Sequence, residues 1–237
     1  MAKTAKTSSA HVAVVGTGVI GASWAACFLA KGFDVIATDT AQGAEARLSS
    51  FVKGFWPALE RIGLASNASP ARLKFDSDLT STVAGAVFIQ ENGPERLEIK
   101  RDLIARIDAA APAETLIATS SSGILISEIQ NAAARHPERV LVGHPFNPPH
   151  LIPLVEVVGG RTTSAAAIEQ AMAFYTALGK KPIHIRREIK GHVANRLQAA
   201  LWREAFYLVS QGIASVSEVD TAIAHAPACV GHYSGRS

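Results

Sequence analysis

His144 and Glu156 each sit in an apolar setting. Val140-Leu141-Val142 runs up to the histidine, and the stretch Leu154 to Val158 encloses the glutamate. Between the two lie Pro145, Pro148, Pro149 and Pro153, which make the crossing stiff and non-helical. An imidazole and a carboxylate on neighbouring strands can act as a general base and its orienting partner. Near the other end of the chain, the apolar run Val12-Ala13-Val14-Val15 leads into Gly16-Thr17-Gly18-Val19-Ile20-Gly21. In such a turn the first glycine permits the bend and the second lets the backbone approach a pyrophosphate. The third lets the following helix pack close to its strand. Val19 and Ile20 open that helix, whose first amides face the phosphates. A dinucleotide and a histidine base together point to hydride transfer from an alcohol.

The elements that must hold these groups alternate. After the first strand comes a helix, Ile20 to Ala30, closed by Lys31-Gly32, and then a strand from Asp34 to Thr38. Asp39 ends that strand, where an acid accepts hydrogen bonds from the adenosine ribose. No arginine follows at once to hold a 2′-phosphate, so NAD is expected over NADP. Residues 44–63 read as helical, with Pro57 marking a possible split. Strands are expected at Ala86 to Gln90, Thr115 to Thr119 and Arg139 to Gly143, and helices at Arg96 to Ala109 and Ile124 to Ala134. The predicted fold class is α/β, a Rossmann-type doubly wound, mostly parallel sheet. Ligands in such sheets lie beyond the carboxyl ends of the strands. Asp39, Glu91, Ser122 and His144 all fall at such ends, although Glu91 ranks below Glu95 as a candidate.

A further helix (Ser164 to Leu178) and strand (Pro182 to Ile185) follow. From about Gly191 the pattern changes to a long apolar-faced helix carrying Val193, Leu197, Leu201, Phe206, Leu208 and Val209. Ser215 and Glu218 then form a capping box for another helix. The expected organisation is a disordered leader at 1–10, an NAD-binding domain at 11–188 and the start of an all-α C-terminal domain at 189–237.

Composition narrows the function. The chain has 237 residues, is 48% hydrophobic and carries a formal net charge of +3. That charge is too mild and scattered to argue for nucleic acid, and no apolar stretch is long enough to span a bilayer. The first ten residues lack the apolar core of a signal peptide. Its two cysteines, Cys27 and Cys229, imply neither a disulfide framework nor a metal site, so a cytoplasmic location is expected. His11, His136, His150, His184, His192, His225 and His232 show no partner pattern and receive no role.

In its motifs the chain resembles the 3-hydroxyacyl-CoA dehydrogenase family. The motifs are GTGVIG, Glu95 with Lys100, SSSG (120–123), HPFNP (144–148), LVEVV (154–158) and GHVANRL (191–197). The stretches WPALERIGL, QENGPERLEIKRDL and HPFNPPHLIPLVEVVGG look closer to the branch of lambda-crystallin (gulonate dehydrogenase) and carnitine dehydrogenase-like proteins, whose substrates include small 3-hydroxy acids. The resemblance implies NAD-dependent oxidation of an L-3-hydroxyacyl-CoA or small L-3-hydroxy acid to the 3-oxo product. His144 would be the general base and Glu156 its holding carboxylate. Ser122 and Asn195 would hydrogen-bond the reacting oxygen and the imidazole. Glu95, Lys100, Ser122 and Asn147 would lie along the nicotinamide ribose. The implied partners are a small-molecule substrate and, at full length, a second copy in a homodimer. A non-catalytic, crystallin-like role is the alternative of another class, and the intact His144 and Glu156 oppose it.

Two departures stand out. The SSSG segment lacks the asparagine that acyl-CoA members tend to carry before the serine pair, which weakens the case for a CoA thioester. The helical part is also short. Residues 226–237 interrupt a continuing helix pattern. In one permitted back-translation, one added nucleotide turns them into Gly-Pro-Gly-Leu-Arg-Trp-Ala-Leu-Phe-Gly-Pro-Phe, which resembles the family's continuation. The expectation is a frameshift near Ala226, decided by sequencing the gene.

Overall fold

The computed structural model describes residues 10–225. The leader and the frameshift expectation at 226–237, with Cys229 and His232, concern residues outside that range. Contacts divide the chain into two compact units, one ending at His192 and one beginning at Val193.

The first unit is built on one eight-stranded sheet. Its strands are β1 (His11–Val15), β2 (Asp34–Thr38), β3 (Leu73–Phe75), β4 (Ala86–Glu91), β5 (Leu116–Thr119), β6 (Val140–Pro145), β7 (Leu154–Gly159) and β8 (Lys181–Ile185). They lie in the order β3-β2-β1-β4-β5-β6-β7-β8. All pairings are parallel except β6 with β7, which run antiparallel. The expected Rossmann-type, mostly parallel sheet is what the chain forms.

Both faces of the sheet are covered, which explains the unbroken apolar runs in its strands. β1 sends Val12 and Val14 into one core and Ala13 and Val15 into the other. The first core takes α1 (Val19–Ala30), α2 (Ala44–Ile62) and α6 (Ala165–Ala177). Trp24, Phe28 and Leu29 of α1 are fully buried there. The second core takes α3 (Leu79–Val83), α4 (Leu97–Ala110) and α5 (Ile126–Gln130). α2 is unbroken through Pro57, since that residue and Lys53, whose carbonyl it leaves unpaired, both face outward.

Residues 124–134 were expected to be largely helical, but α5 covers only Ile126–Gln130. Directly after it the chain turns, with the Ala132 and Ala133 amides donating to the Ile129 and Gln130 carbonyls, and Asp108 holds the segment beyond. The Asp108 carboxylate accepts the amides of Arg135 (2.7 Å) and His136 (3.2 Å) and is paired with buried Arg139 at 2.9 Å. β3 and α3 had no counterpart in the sequence reading.

Gly143, in β6, packs its backbone against Tyr175 of α6. A Cβ built there would stand 1.9 Å from the tyrosine hydroxyl, which is itself held by Gln90 Oε1 at 2.7 Å. Burial pushes the Tyr175 hydroxyl far above its ordinary value, so it remains a neutral donor. Gly143→Ala is therefore expected to lower stability by about 1–3 kcal/mol. Denaturant unfolding measures this, and an unchanged midpoint would refute the contact.

The second unit contains α7 (Ala194–Ser210) and α8 (Val216–His225). The expected capping box is present: the Ser215 hydroxyl accepts from the Glu218 amide at 3.3 Å, and Glu218 Oε2 accepts from the Ser215 amide at 2.7 Å. Leu197, Trp202 and Phe206 of α7 are exposed. No helix among the described residues is long and apolar enough to cross a membrane.

Candidate active site

Strand pairing assembles the central pair. In the antiparallel ladder of β6 and β7, His144 stands directly opposite Glu156. Directly opposed residues project to the same face. The histidine Nδ1 lies 2.8 Å from Glu156 Oε2, with the carboxylate wholly buried and the imidazole 6% exposed. A buried carboxylate accepts, so Nδ1 carries the proton and Nε2 keeps a bare lone pair. Among the described residues no protein group takes that lone pair. In its neutral form the ring is thereby held in the tautomer a base requires.

The crossing from β6 to β7 is anchored at its centre. The Ser23 hydroxyl of α1 accepts the His150 amide at 2.8 Å and also meets His150 Nδ1 at 2.8 Å. The His150 ring stacks on Phe55 with centroids 4.1 Å apart. Buried Lys180 donates to the carbonyls of Pro149 and Ile152. Sequence reasoning gave His150 no role, and the structure makes it a clamp on this crossing. Asn147 is exposed, with no protein partner for its amide.

The loop after β5 is held by Glu95. One oxygen of that carboxylate accepts the Ser121 hydroxyl (2.7 Å) and the amides of Ser122 (3.0 Å), Gly123 (2.8 Å) and Ile124 (3.3 Å). Partial burial alone would raise the Glu95 carboxyl, but these bonds and the Lys100 ammonium outweigh it and hold it below the usual range. Among the described residues the Ser122 hydroxyl has no protein partner. Ser122 caps no helix, because α5 begins only after Leu125.

Glu91 is the residue that sequence reasoning underrated. Fully buried at the end of β4, it receives Lys100 Nζ at 3.0 and 3.2 Å, the Thr119 hydroxyl at 2.5 Å and the Gly93 amide at 2.5 Å. Lys100 gives its third N–H to the Gly93 carbonyl at 3.1 Å. Its ammonium is thus fully engaged beneath the 91–95 loop, 3.9 Å from Glu95. Among the residues assigned to a nicotinamide ribose, Glu95, Ser122 and Asn147 retain open hydrogen-bonding capacity, and Lys100 does not. The signal that could have found Glu91 was an acid closing an apolar strand, with a lysine in the next helix.

A crevice of about 580 Å³ opens at the carboxyl ends of β1, β2 and β4, lined by Gly16, Gly18, Asp39 and Asn92 among others. The strand order reverses here, between β1 and β4, where α/β sheets bind nucleotides. Gly16 has φ +84°, and Gly21 packs so closely that a Cβ would stand 1.9 Å from the Gly16 carbonyl oxygen. At Gly18 a Cβ would meet nothing within 4 Å. The close approach at Gly21 and the open space at Gly18 fit a pyrophosphate laid over the loop. Val19 and Ile20 begin α1, whose first turn carries no acidic residue to oppose an anion.

Asp39 follows β2. Its Oδ2 accepts from the Thr17 amide (2.6 Å) and hydroxyl (3.1 Å), and its Oδ1 accepts from the Ala41 amide (2.9 Å). Partial burial works to raise its carboxyl, and these bonds overcome it, holding Asp39 ionised. A fixed carboxylate suits ribose hydroxyls and repels a phosphate. NADP is expected to bind at least about tenfold more weakly than NAD. Titration of both cofactors against protein fluorescence tests this, and equal affinities would contradict it.

Asn195 lies in the first turn of α7, in the second unit. His192, also unassigned from sequence, is buried near His144 with ring centroids 4.9 Å apart. Among the described residues no cluster of three or more metal-ligating side chains occurs.

Residues 11–230 match the family described as 3-hydroxyacyl-CoA dehydrogenase, NAD binding domain. An L-carnitine dehydrogenase of Streptomyces griseus is 54% identical over 217 residues, covering 92% of this chain and 64% of that protein. An L-carnitine dehydrogenase of Pseudomonas aeruginosa is 54% identical over 211 residues, covering 89% and 65%. The chain thus spans just under two thirds of the length of these curated relatives. Among solved structures, 3-hydroxybutyryl-CoA dehydrogenase of Escherichia coli K12 superposes with a TM-score of 0.78 at 30% identity, covering 87% of this chain and 44% of that one. The NAD+-dependent dismutase described as FHMPC 5-dehydrogenase gives a TM-score of 0.84 at 31% identity, covering 92% and 71%.

Proposed function

The chain belongs to the 3-hydroxyacyl-CoA dehydrogenase family, whose NAD-binding domain it contains, and on that premise we propose that it oxidises a small L-3-hydroxy acid of the carnitine type to the 3-oxo acid. The observation that carries the chemistry is the His144–Glu156 pair, with Nδ1 tied and Nε2 open. The carnitine dehydrogenases, 54% identical, support the substrate type.

Bound NAD supplies the acceptor for the hydride that leaves the carbinol carbon. His144 Nε2 takes the hydroxyl proton as the carbonyl forms. Glu156 keeps that imidazole in the receptive tautomer and stabilises the imidazolium that results. The Ser122 hydroxyl, without a protein partner among the described residues, is suited to hold the reacting oxygen, and the family resemblance assigns Asn195 a hydrogen bond to the same groups. Asn147 and Glu95 orient the cofactor on the nicotinamide side, while Asp39 selects NAD at the adenosine end. In this reading, residues 11–188 form the cofactor domain and the helices after them supply the substrate cover and the dimer contact of a cytoplasmic enzyme.

A CoA thioester is the second reading, supported by the 3-hydroxybutyryl-CoA dehydrogenase structure at 30% identity. Incubation with NAD and either L-carnitine, 3-hydroxybutyryl-CoA or gulonate, followed by NADH absorbance, separates the substrates. Turnover of L-carnitine is expected. Turnover of the thioester alone would overturn the carnitine assignment, and no turnover with any of them would overturn the reading as a whole.

A further inference from the structure

His192 has an environment that its sequence position does not suggest. It has a left-handed backbone, φ 49°, directly after Gly191 at φ 76°, a conformation rare for a residue with a side chain. Strain of this kind persists where surrounding structure imposes it, and it concentrates at working sites. The ring is 4% exposed and lies beside His144. Its Nε2 stands 3.0 Å from the Ser121 carbonyl oxygen, 71 residues away in sequence. A carbonyl only accepts, so Nε2 carries the proton. Nδ1 is then a bare acceptor, and it is buried without a partner.

The loop 120–123 is consequently held from two sides. Glu95 takes the Ser122 and Gly123 amides and His192 donates to the Ser121 carbonyl, leaving the Ser122 hydroxyl without a partner among the described residues. The same ring flanks the base. We infer that His192 is a positioning residue for the reaction: as a neutral, Nε2-protonated imidazole it tethers the Ser121 carbonyl and so aims the Ser122 hydroxyl toward the oxygen that His144 deprotonates. The inference deepens the dehydrogenase reading and rests on it. Burial, the largest influence, lowers the affinity of His192 for a second proton. The Ser121 carbonyl opposes this, the neighbouring His144 adds to it, and Glu156 and Glu95 oppose it, with a net lowering. A neutral ring also keeps a second positive charge away from the imidazolium that forms on His144.

Three replacements in the full chain separate the tether from mere space filling. Glutamine places an N–H near the Nε2 position, asparagine keeps only a group near Nδ1 and tolerates the left-handed backbone, and phenylalanine keeps the ring shape alone. With L-carnitine and NAD, His192→Gln is expected to retain kcat within about threefold of wild type. His192→Asn and His192→Phe are expected to lose at least about tenfold in kcat, the order of one hydrogen bond, with KM and Kd for NAD unchanged. Imidazole 15N NMR, assigned by the loss of signal in His192→Gln, should show Nε2 protonated and Nδ1 bare at neutral pH. Wild-type turnover in His192→Phe, a fully active His192→Asn beside an impaired His192→Gln, or a charged His192 ring would each overturn the inference. Failure of the wild-type chain to turn over L-carnitine, 3-hydroxybutyryl-CoA or gulonate would instead overturn the functional reading, and the inference with it.

Discussion

His144→Ala is expected to lower kcat by roughly a hundredfold or more while NAD still binds. The proton of the carbinol then has no acceptor at the distance and angle that Nε2 provides, and water has to serve instead. The cofactor crevice is built at the ends of β1, β2 and β4, whereas the histidine belongs to β6. The loss therefore falls on the chemical step. Glu156→Gln is the sharper test, because it preserves volume in a site with no room to spare. An amide at that position can donate as well as accept. It no longer forces the proton onto Nδ1, and it offers no charge to balance an imidazolium. A loss approaching that of His144→Ala is expected. Steady-state kinetics with a parallel fluorescence titration of NAD decides the matter, and wild-type turnover in either variant would remove the pair from the mechanism.

Lys100→Met is expected to cost about 3–5 kcal/mol of folding stability, because it strands a charge. The ammonium is 1% exposed and Glu91 is fully buried. Without its partner the carboxylate keeps only the Thr119 hydroxyl and the Gly93 amide, which do not replace a positive charge. Such a loss is a large share of the stability of an ordinary domain, about 5–15 kcal/mol. The double variant Glu91→Gln with Lys100→Met removes both charges and should recover most of the difference. Urea unfolding of the two variants and the wild type measures the coupling. A single variant within about 1 kcal/mol of wild type would mean that the pair does not hold the 91–95 loop.

What could be read from the sequence depended on the range of the interaction. β1, α1 and β2 were legible to within a residue because Gly16, Gly18, Gly21 and Gly32 punctuate apolar periodicity on either side. His144 and Glu156 were legible because each interrupts an apolar run. Their antiparallel pairing was also encoded, since the eight residues from Phe146 to Pro153 are too few for the crossover that parallel strands need. The end of α5 was not legible: the chain turns directly after Gln130, and the segment beyond is held by Asp108, a residue of α4 that accepts the Arg135 and His136 amides. His192 and His150 gave no local sign either. Their partners, Ser121 and Ser23, lie 71 and 127 residues away. Glu91 was seen at a strand end and ranked below Glu95, because burial and pairing with Lys100 emerge only from the packing of α4.

The direct opposition of His144 and Glu156 across β6 and β7 has a consequence for how such a site diversifies. The imidazole and its carboxylate are aligned by strand register, not by a loop: any chain that closes this ladder correctly arrives with the pair already assembled. A slip of one residue turns the side chains of the slipped strand to the opposite face and separates the pair. The segment 146–153 that joins the two strands is free of that constraint. Residues there can be exchanged, lengthened or shortened to suit a different substrate while the chemistry behind them stays constant. A laboratory programme seeking new alcohols for this fold would do best to vary that crossing while keeping Asn147 and the His150 clamp, and to leave the ladder untouched.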